Sequence, residues 1–574
     1  MKKGNGARGI GIAQKPKKLY PRRAFMSIKI IPLSGLEKVF LDRTPIGGYS
    51  GGSFLRNENY SFQFAFTAPY IEDEWMCWDM ADLALESDIA DNLELYLVKN
   101  VPVQVATYVH YDHGYEATGS GMYPDALIPL KLGEQVKLSV GKWQSIWVRV
   151  KGEVAPGKHT VRVTLASEKA GSASAEVQLD VLSARLPEQE LIYTNWFHCD
   201  CISELHHTEI FSEEYWDIME SYMKLAGENG VNMILVPAFT PALDTPVGGE
   251  RMTAQLVGVV KDGDTYTFDF EKLDRYIASA QKFGIKWFEH NHFFTQWGAL
   301  NAPKVMATVD GEYKRIFGWE TKATGPEYSD FLHQYLDALI PHLKALGVDD
   351  KFYYHISDEP RKEHLDDYLN AKAVVYDRLK DYHFFEALSH LELYKEGAVP
   401  TPVAITDTVS EFVGVADDLW TYYTGFWSFS LSNRLISMMS RRNRVIGMQM
   451  YKNGIKGFLH WGFNFYYSFL CREAFDPMTC PDAHLEFPAG TSYIVYPYGD
   501  KAVPSIRLFV FHDAIQDIAA MKLLESAIGQ DEVVKIAEAA SGKNIDWRTC
   551  PGTNEQFLAV REAINAEIAK HFPA

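Results

Sequence analysis

The chain has 574 residues, 47% of them hydrophobic and 13% aromatic, and carries a formal net charge of −19. The length suits two or three domains with sizeable cores, and the acidic balance excludes a nucleic-acid partner, because no surplus of Lys and Arg could neutralise phosphates. Six cysteines are too few for a disulfide scaffold and read as reduced thiols of a cytoplasmic protein; the lack of an apolar run of about 18 residues predicts no membrane span.

Residues 1–26 read as a disordered lead-in. They hold the basic run "KKLYPRR", lack the apolar core and cleavage site of a secretory signal, and end on Met26, an alternative start. "GNGARG", Gly4 to Gly9, spells G-x-G-x-x-G, but without a strand before it and a helix after it the match is chance. From 27 to 186 the sequence consists of short, partly alternating strands such as "SFQFAFTA", "QSIWVRVKG" and "VAPGKHTVRVTL", separated by turns. Val161, Val163 and Leu165 against Arg162 and Thr164 show the period of two that marks a half-buried strand. This stretch is expected to be a β-sandwich.

At Pro187 the rhythm changes to short apolar runs alternating with amphipathic segments, and this pattern is assigned to 187–505. The apolar runs are 191–197, 231–239, 285–293, 351–357, 383–389, 402–406, 418–423 and 455–463. Helical stretches lie between several of them, one opening on Ser212 and its following acids. Eight strands with helical crossovers predict a (β/α)8 TIM-like barrel. Residues 506–574 read as a helical carboxy-terminal segment set apart from it.

Barrels of this kind react at the carboxy-terminal ends of their strands. Those ends read "NWFHCDC", "EHNHFF", "HISDEP", "LWTYYTGFW" and "HWGFNFYY": rings that stack on sugar faces, groups that bind hydroxyls, and the adjacent acids Asp358 and Glu359. In ordinary glycosidases two carboxyls face each other about 5–9 Å apart across the bond, which sequence neighbours do only awkwardly. They suit a substrate-assisted route, in which the sugar's 2-acetamido oxygen attacks the anomeric carbon. Glu359 then acts as acid and base, while an ionised Asp358 holds the acetamide N–H and favours the proton on Glu359. The competing structural reading makes the two acids caps of the helix after Pro360.

Trp196, His198, Asp200, His290, His292, His355, Trp420, Tyr422, Trp461 and Asn464 are the candidate substrate contacts. Alternation would put His198 with Asp200, and His290 with His292, on shared faces. Trp420 and Tyr422, two apart, would point the same way, one walling the acetamide pocket while the Tyr hydroxyl supports the acetamide oxygen. "HCDC" with His206 and His207 lacks zinc spacing, so no metal or other cofactor is expected. Arg441, Arg442 and Arg444 are assigned to a solvated helix face or to internal ion pairs.

"NWFHCDC", "VNMILVPAFTPALDT", "HISDEP", "GFLHWGFNFYY" and "VPSIRLFVFHDAIQD" resemble glycoside hydrolase family 123 over roughly residues 185–530. The resemblance implies an exo-acting, retaining β-N-acetylgalactosaminidase that uses substrate assistance, with the family's Asp-Glu pair at Asp358 and Glu359. Phe509 and Ala514 depart from the family pattern, which has Glu and Gly there. The implied partner is a glycoside with a terminal β-linked GalNAc; a homo-oligomer is compatible with the sequence. Two alternatives remain: a conventional two-carboxylate glycosidase with Glu289 as second acid, and a carbohydrate-binding protein without catalysis.

Overall fold

The computed structural model describes residues 27–69, 76–426 and 428–573. The expected lead-in, with Gly4–Gly9 and Met26, lies outside the described residues. The amino-terminal part folds into two five-stranded sheets. One runs in the order 29–34, 60–67, 144–150, 93–103, 121–130, and the other 51–56, 171–185, 157–167, 78–86, 135–139. Alternation drives their packing: Val161, Val163 and Leu165 are buried while Arg162 is exposed. They meet Phe62, Phe64, Ile146 and Val148 of the opposite sheet in one core, as a sandwich requires.

Eight parallel strands then close a barrel: β1 (Ile192–Asn195), β2 (Met233–Val236), β3 (Trp287–His290), β4 (Phe352–Tyr354), β5 (His383–Leu388), β6 (Thr401–Ile405), β7 (Trp420–Tyr422) and β8 (Gly457–His460). β1 pairs with both β2 and β8. All eight expected runs coincide with a strand, the sixth strand starting one residue early at Thr401. Strand periodicity sorts their side chains into two sets. Met233, Leu235, Phe385, Val403, Ile405, Trp420 and Leu459 fill the barrel interior. Ile234, Phe288, Phe384 and Phe458 point outward into the larger core beneath the helices. Ser212 caps its helix by accepting from the Tyr215 N–H.

The carboxy-terminal region is not peripheral. Helix Ile506–Ile528 is buried along most of its length, with Phe511 4.9 Å by ring centroid from both Tyr193 of β1 and Phe458 of β8. On its other side Phe509 meets Tyr96 and Trp147 of the sandwich, and the Arg149 guanidinium lies 3.7 Å above its ring. The guanidinium over the ring makes a cation–π contact that ties this helix to the sandwich. Near Ala514 the helix backbone passes so close to Gly447 that a Cβ there would stand 2.2 Å from the Ala514 carbonyl oxygen. Arg442 and Arg444 do not form a solvated face: both are buried, Arg442 paired with Asp112 and Arg444 with Asp513 and Asp517.

Candidate active site

β4 ends at Tyr354, and the chain turns through Ser357, Asp358 and Glu359 before Pro360. Glu359 has φ +44, a left-handed conformation that costs a non-glycine residue about 1–3 kcal/mol and persists only where surroundings enforce it. Neither acid caps a helix. Arg361 and His364 occupy the N-cap positions that follow, and no side chain bonds there.

Both acids are half-buried and line a cavity of about 320 Å³ at the carboxy-terminal mouth of the barrel. Trp196, His198, Tyr422 and Trp461 share it, so six of the twelve expected site residues stand together. Burial, and then the neighbouring charge of Glu359, pushes the Asp358 carboxyl well above the usual carboxylate range. The charge of nearby Glu386 adds to the same rise. Two carboxyls this close disfavour carrying two charges at once. The Tyr422 hydroxyl donates to Glu359 Oε1 at 2.5 Å, so in this structure it engages the acid rather than a free acetamide site.

The other six lie behind the wall. Trp420 points inward as Tyr422 does, but one layer deeper, against Tyr353 and Phe385. Asn464 is fully buried and clamps the His198 backbone, accepting from its N–H at 2.9 Å and donating to its carbonyl at 3.0 Å. β1 ends at Asn195 and a helix begins at Cys199, so His198 and Asp200 do not alternate along a strand. Both instead meet Arg251: Asp200 by two bonds of 2.8 and 2.9 Å, and His198 through Nδ1 at 3.1 Å. The other His198 nitrogen faces the Trp461 carbonyl, and burial with Arg251 lowers its pKa to about 3. The imidazole is thus a neutral wall with both nitrogens engaged.

His290 and His292 do not share a face, because β3 stops at His290. His290 points outward to the Tyr335 hydroxyl at 2.9 Å, with burial lowering it to about 4. His292 turns inward and stacks on His355, centroids 4.2 Å apart.

His355 is completely buried, with Glu289 Oε1 at 2.6 Å on one nitrogen and Glu386 Oε2 at 3.0 Å on the other. Burial alone would lower its pKa, but the two carboxylates override that and raise it to about 10. Glu289 also takes the Trp196 indole N–H at 2.5 Å and the Thr194 hydroxyl at 2.6 Å. Glu386 takes the Ile356 and Ser357 N–H groups and the Tyr368 hydroxyl. One charged chain thus fixes both a cavity wall and the backbone leading into Asp358.

Among the described residues His292, His355 and Glu386 bring three potential metal-ligand atoms within 4.8 Å of one another. The two rings lie within 18° of parallel, and stacked imidazoles cannot aim their in-plane lone pairs at one ion without rotating. The donor set does not fit a metal as arranged.

Several cavity residues escaped the sequence reading: Tyr108, Asp244, Gln296, Trp297 and Phe465. Tyr108 comes from the long sandwich connection between 103 and 121, which no barrel-based reading would search. Asp244 sits in the loop after β2, and burial raises its carboxyl to about 6 against the pull of Arg251.

The family profile described as glycoside hydrolase 123, catalytic domain, matches residues 196–524. A family 123 glycoside hydrolase from Clostridium perfringens, studied for glycolipid glycan hydrolysis, is similar in structure with a TM-score of 0.69 at 12% identity, covering 95% of this chain and 98% of that one. A family 39 glycoside hydrolase from Bacteroides cellulosilyticus overlaps with a TM-score of 0.32 at 11% identity, over 76% of this chain and 80% of its own. Among curated proteins no match is found.

Proposed function

The chain belongs to glycoside hydrolase family 123, and on that premise we propose that it is an exo-acting, retaining β-N-acetylgalactosaminidase working by substrate assistance. The observation that carries the proposal is that adjacent Asp358 and Glu359 line one small cavity with Trp196, Trp297 and Trp461. A volume of about 320 Å³ lies at the low end of ligand-pocket sizes and suits a terminal sugar better than a chain interior. Glu359, held through Oε1 by Tyr422, gives its proton to the departing oxygen and then takes one from water. Asp358, ionised once substrate is bound, accepts the acetamide N–H and offsets the oxazolinium charge. The acetamide oxygen forms the bond to the anomeric carbon as the glycosidic bond breaks; water later reopens the ring.

The two-carboxylate alternative loses its second acid. Glu289 is fully buried and committed to Thr194, Trp196 and His355. A panel of nitrophenyl β-glycosides with and without the 2-acetamido group tests the reading. Expected is cleavage of the 2-acetamido sugars alone, GalNAc ahead of GlcNAc, with the β-anomer appearing first by NMR. Equal cleavage of sugars lacking the acetamide, or the α-anomer first, overturns it. Binding without any cleavage would favour a non-catalytic carbohydrate-binding protein.

A further inference from the structure

A third carboxyl faces the cavity, and neither acid–base step uses it. Asp244 lies in the turn after β2 with φ +52, a conformation that carries a penalty for residues other than glycine, least for Asn and Asp. Its loop is pinned from several sides. The Asp244 N–H donates to Gln296 Oε1 at 2.7 Å, the Gln296 amide donates to the Thr245 carbonyl at 3.0 Å, and Arg251 donates to the Leu243 carbonyl at 3.2 Å. One carboxylate oxygen, Oδ2, accepts from the Leu470 N–H at 3.2 Å. Leu470 belongs to the segment following β8 and is itself left-handed, with φ +58.

Backbone strain held by a network of bonds, around an acid in a ring-lined pocket, is the pattern of a preorganised recognition group. Arg251 does not neutralise it through a direct ion pair: that guanidinium is spent on Asp200 and the Leu243 carbonyl. An anchored carboxylate with acceptor capacity remaining, beside stacking tryptophans, suits hydroxyl donors.

We propose that Asp244 is a substrate-recognition residue whose carboxylate accepts hydrogen bonds from hydroxyls of the bound sugar and thereby selects among epimers. The proposal rests on the reading of this cavity as the sugar site, and not on which acid performs the chemistry.

The test is direct binding to the full chain, followed through the fluorescence of the cavity tryptophans. The probes are N-acetylgalactosamine, its 4-epimer N-acetylglucosamine, and the 3-, 4- and 6-deoxy forms of the tighter binder. Asp244→Asn and Asp244→Gly are the variants, since both residues tolerate positive φ and melting can confirm that each still folds. Expected is a loss of about 10- to 100-fold in affinity for the parent sugar, as for a hydrogen bond to a charged group. For one deoxy sugar, native and variant proteins should bind alike. Unchanged affinity in the variants, equal losses across every deoxy sugar, or no binding of any probe to the native chain overturns the proposal. Because binding needs no turnover, normal sugar affinity in an inactive Glu359→Gln protein separates this outcome from failure of the catalytic reading.

Discussion

Glu289, His355 and Glu386 alternate their bonds beneath the cavity, so a single proton-bearing imidazole lies between two buried acids. Replacing His355 by Gln leaves those acids without a cation, and losses of about 3–5 kcal/mol are expected for breaking a buried pair in this way, read as a lower melting temperature. The pH dependence has a definite sign. The His355 pKa is raised when folded, to about 10, so its contribution is full below the unfolded value of about 6.5 and fades as pH rises through 10. Between pH 7 and 10 the native protein should therefore lose more stability than His355→Gln does. The roles proposed for Asp358 and Glu359 are separable too. Glu359→Gln should cripple glycosides with poor leaving groups while partly sparing activated aryl glycosides, and for the latter the basic limb of kcat/KM should disappear. Asp358→Asn should slow both kinds by about 10²-fold or more, as for a missing transition-state contact. Uniform losses in Glu359→Gln would contradict its role as acid. The paired acids were legible in the sequence because charge at the end of an apolar strand is conspicuous. The partners of His355 were not, since Glu289 and Glu386 come from the strands paired on either side of β4, and only that pairing brings them to one ring.

Strand runs were legible because eight short apolar stretches alternate with amphipathic ones, and each coincides with a barrel strand to within a residue or a few. What alternation could not supply was where a strand stops. β3 ends at His290, so His292 turns inward while His290 turns out, and β1 ends before His198. The helix Ile506–Ile528 was legible as a helix but not as a core element, because an almost uniformly buried helix has no amphipathic stripe to show which faces it covers. Phe511 sits between β1 and β8 in that helix. Phe511→Ala should cost about 3–5 kcal/mol from the cavity it opens, seen as a fall in the denaturant midpoint, with turnover of the remaining folded enzyme near normal. A fall in turnover without a fall in stability would place Phe511 in the chemistry instead.

Taken as a whole, the molecule is cross-linked by buried charge between its parts. Asp125 of the sandwich pairs with Arg507, Glu58 with Arg561, and Asp517 with both Arg444 and Arg561. Val98, Tyr123 and Trp147 of the sandwich belong to the same apolar core as the barrel helices, and Tyr108 reaches the cavity itself. A chain cut to residues 187–574 should consequently lack a cooperative melting transition and bind no sugar; a stable, active fragment would contradict this integration. The proposed dependence of turnover on the substrate's own nucleophile is measurable without altering the protein. A series of aryl β-glycosides bearing 2-acetamido, mono-, di- and trifluoroacetamido groups weakens the carbonyl oxygen stepwise while the leaving group stays fixed. If the acetamide attacks the anomeric carbon under the guidance of Asp358, kcat/KM falls steeply with each added fluorine; a flat series would contradict substrate assistance.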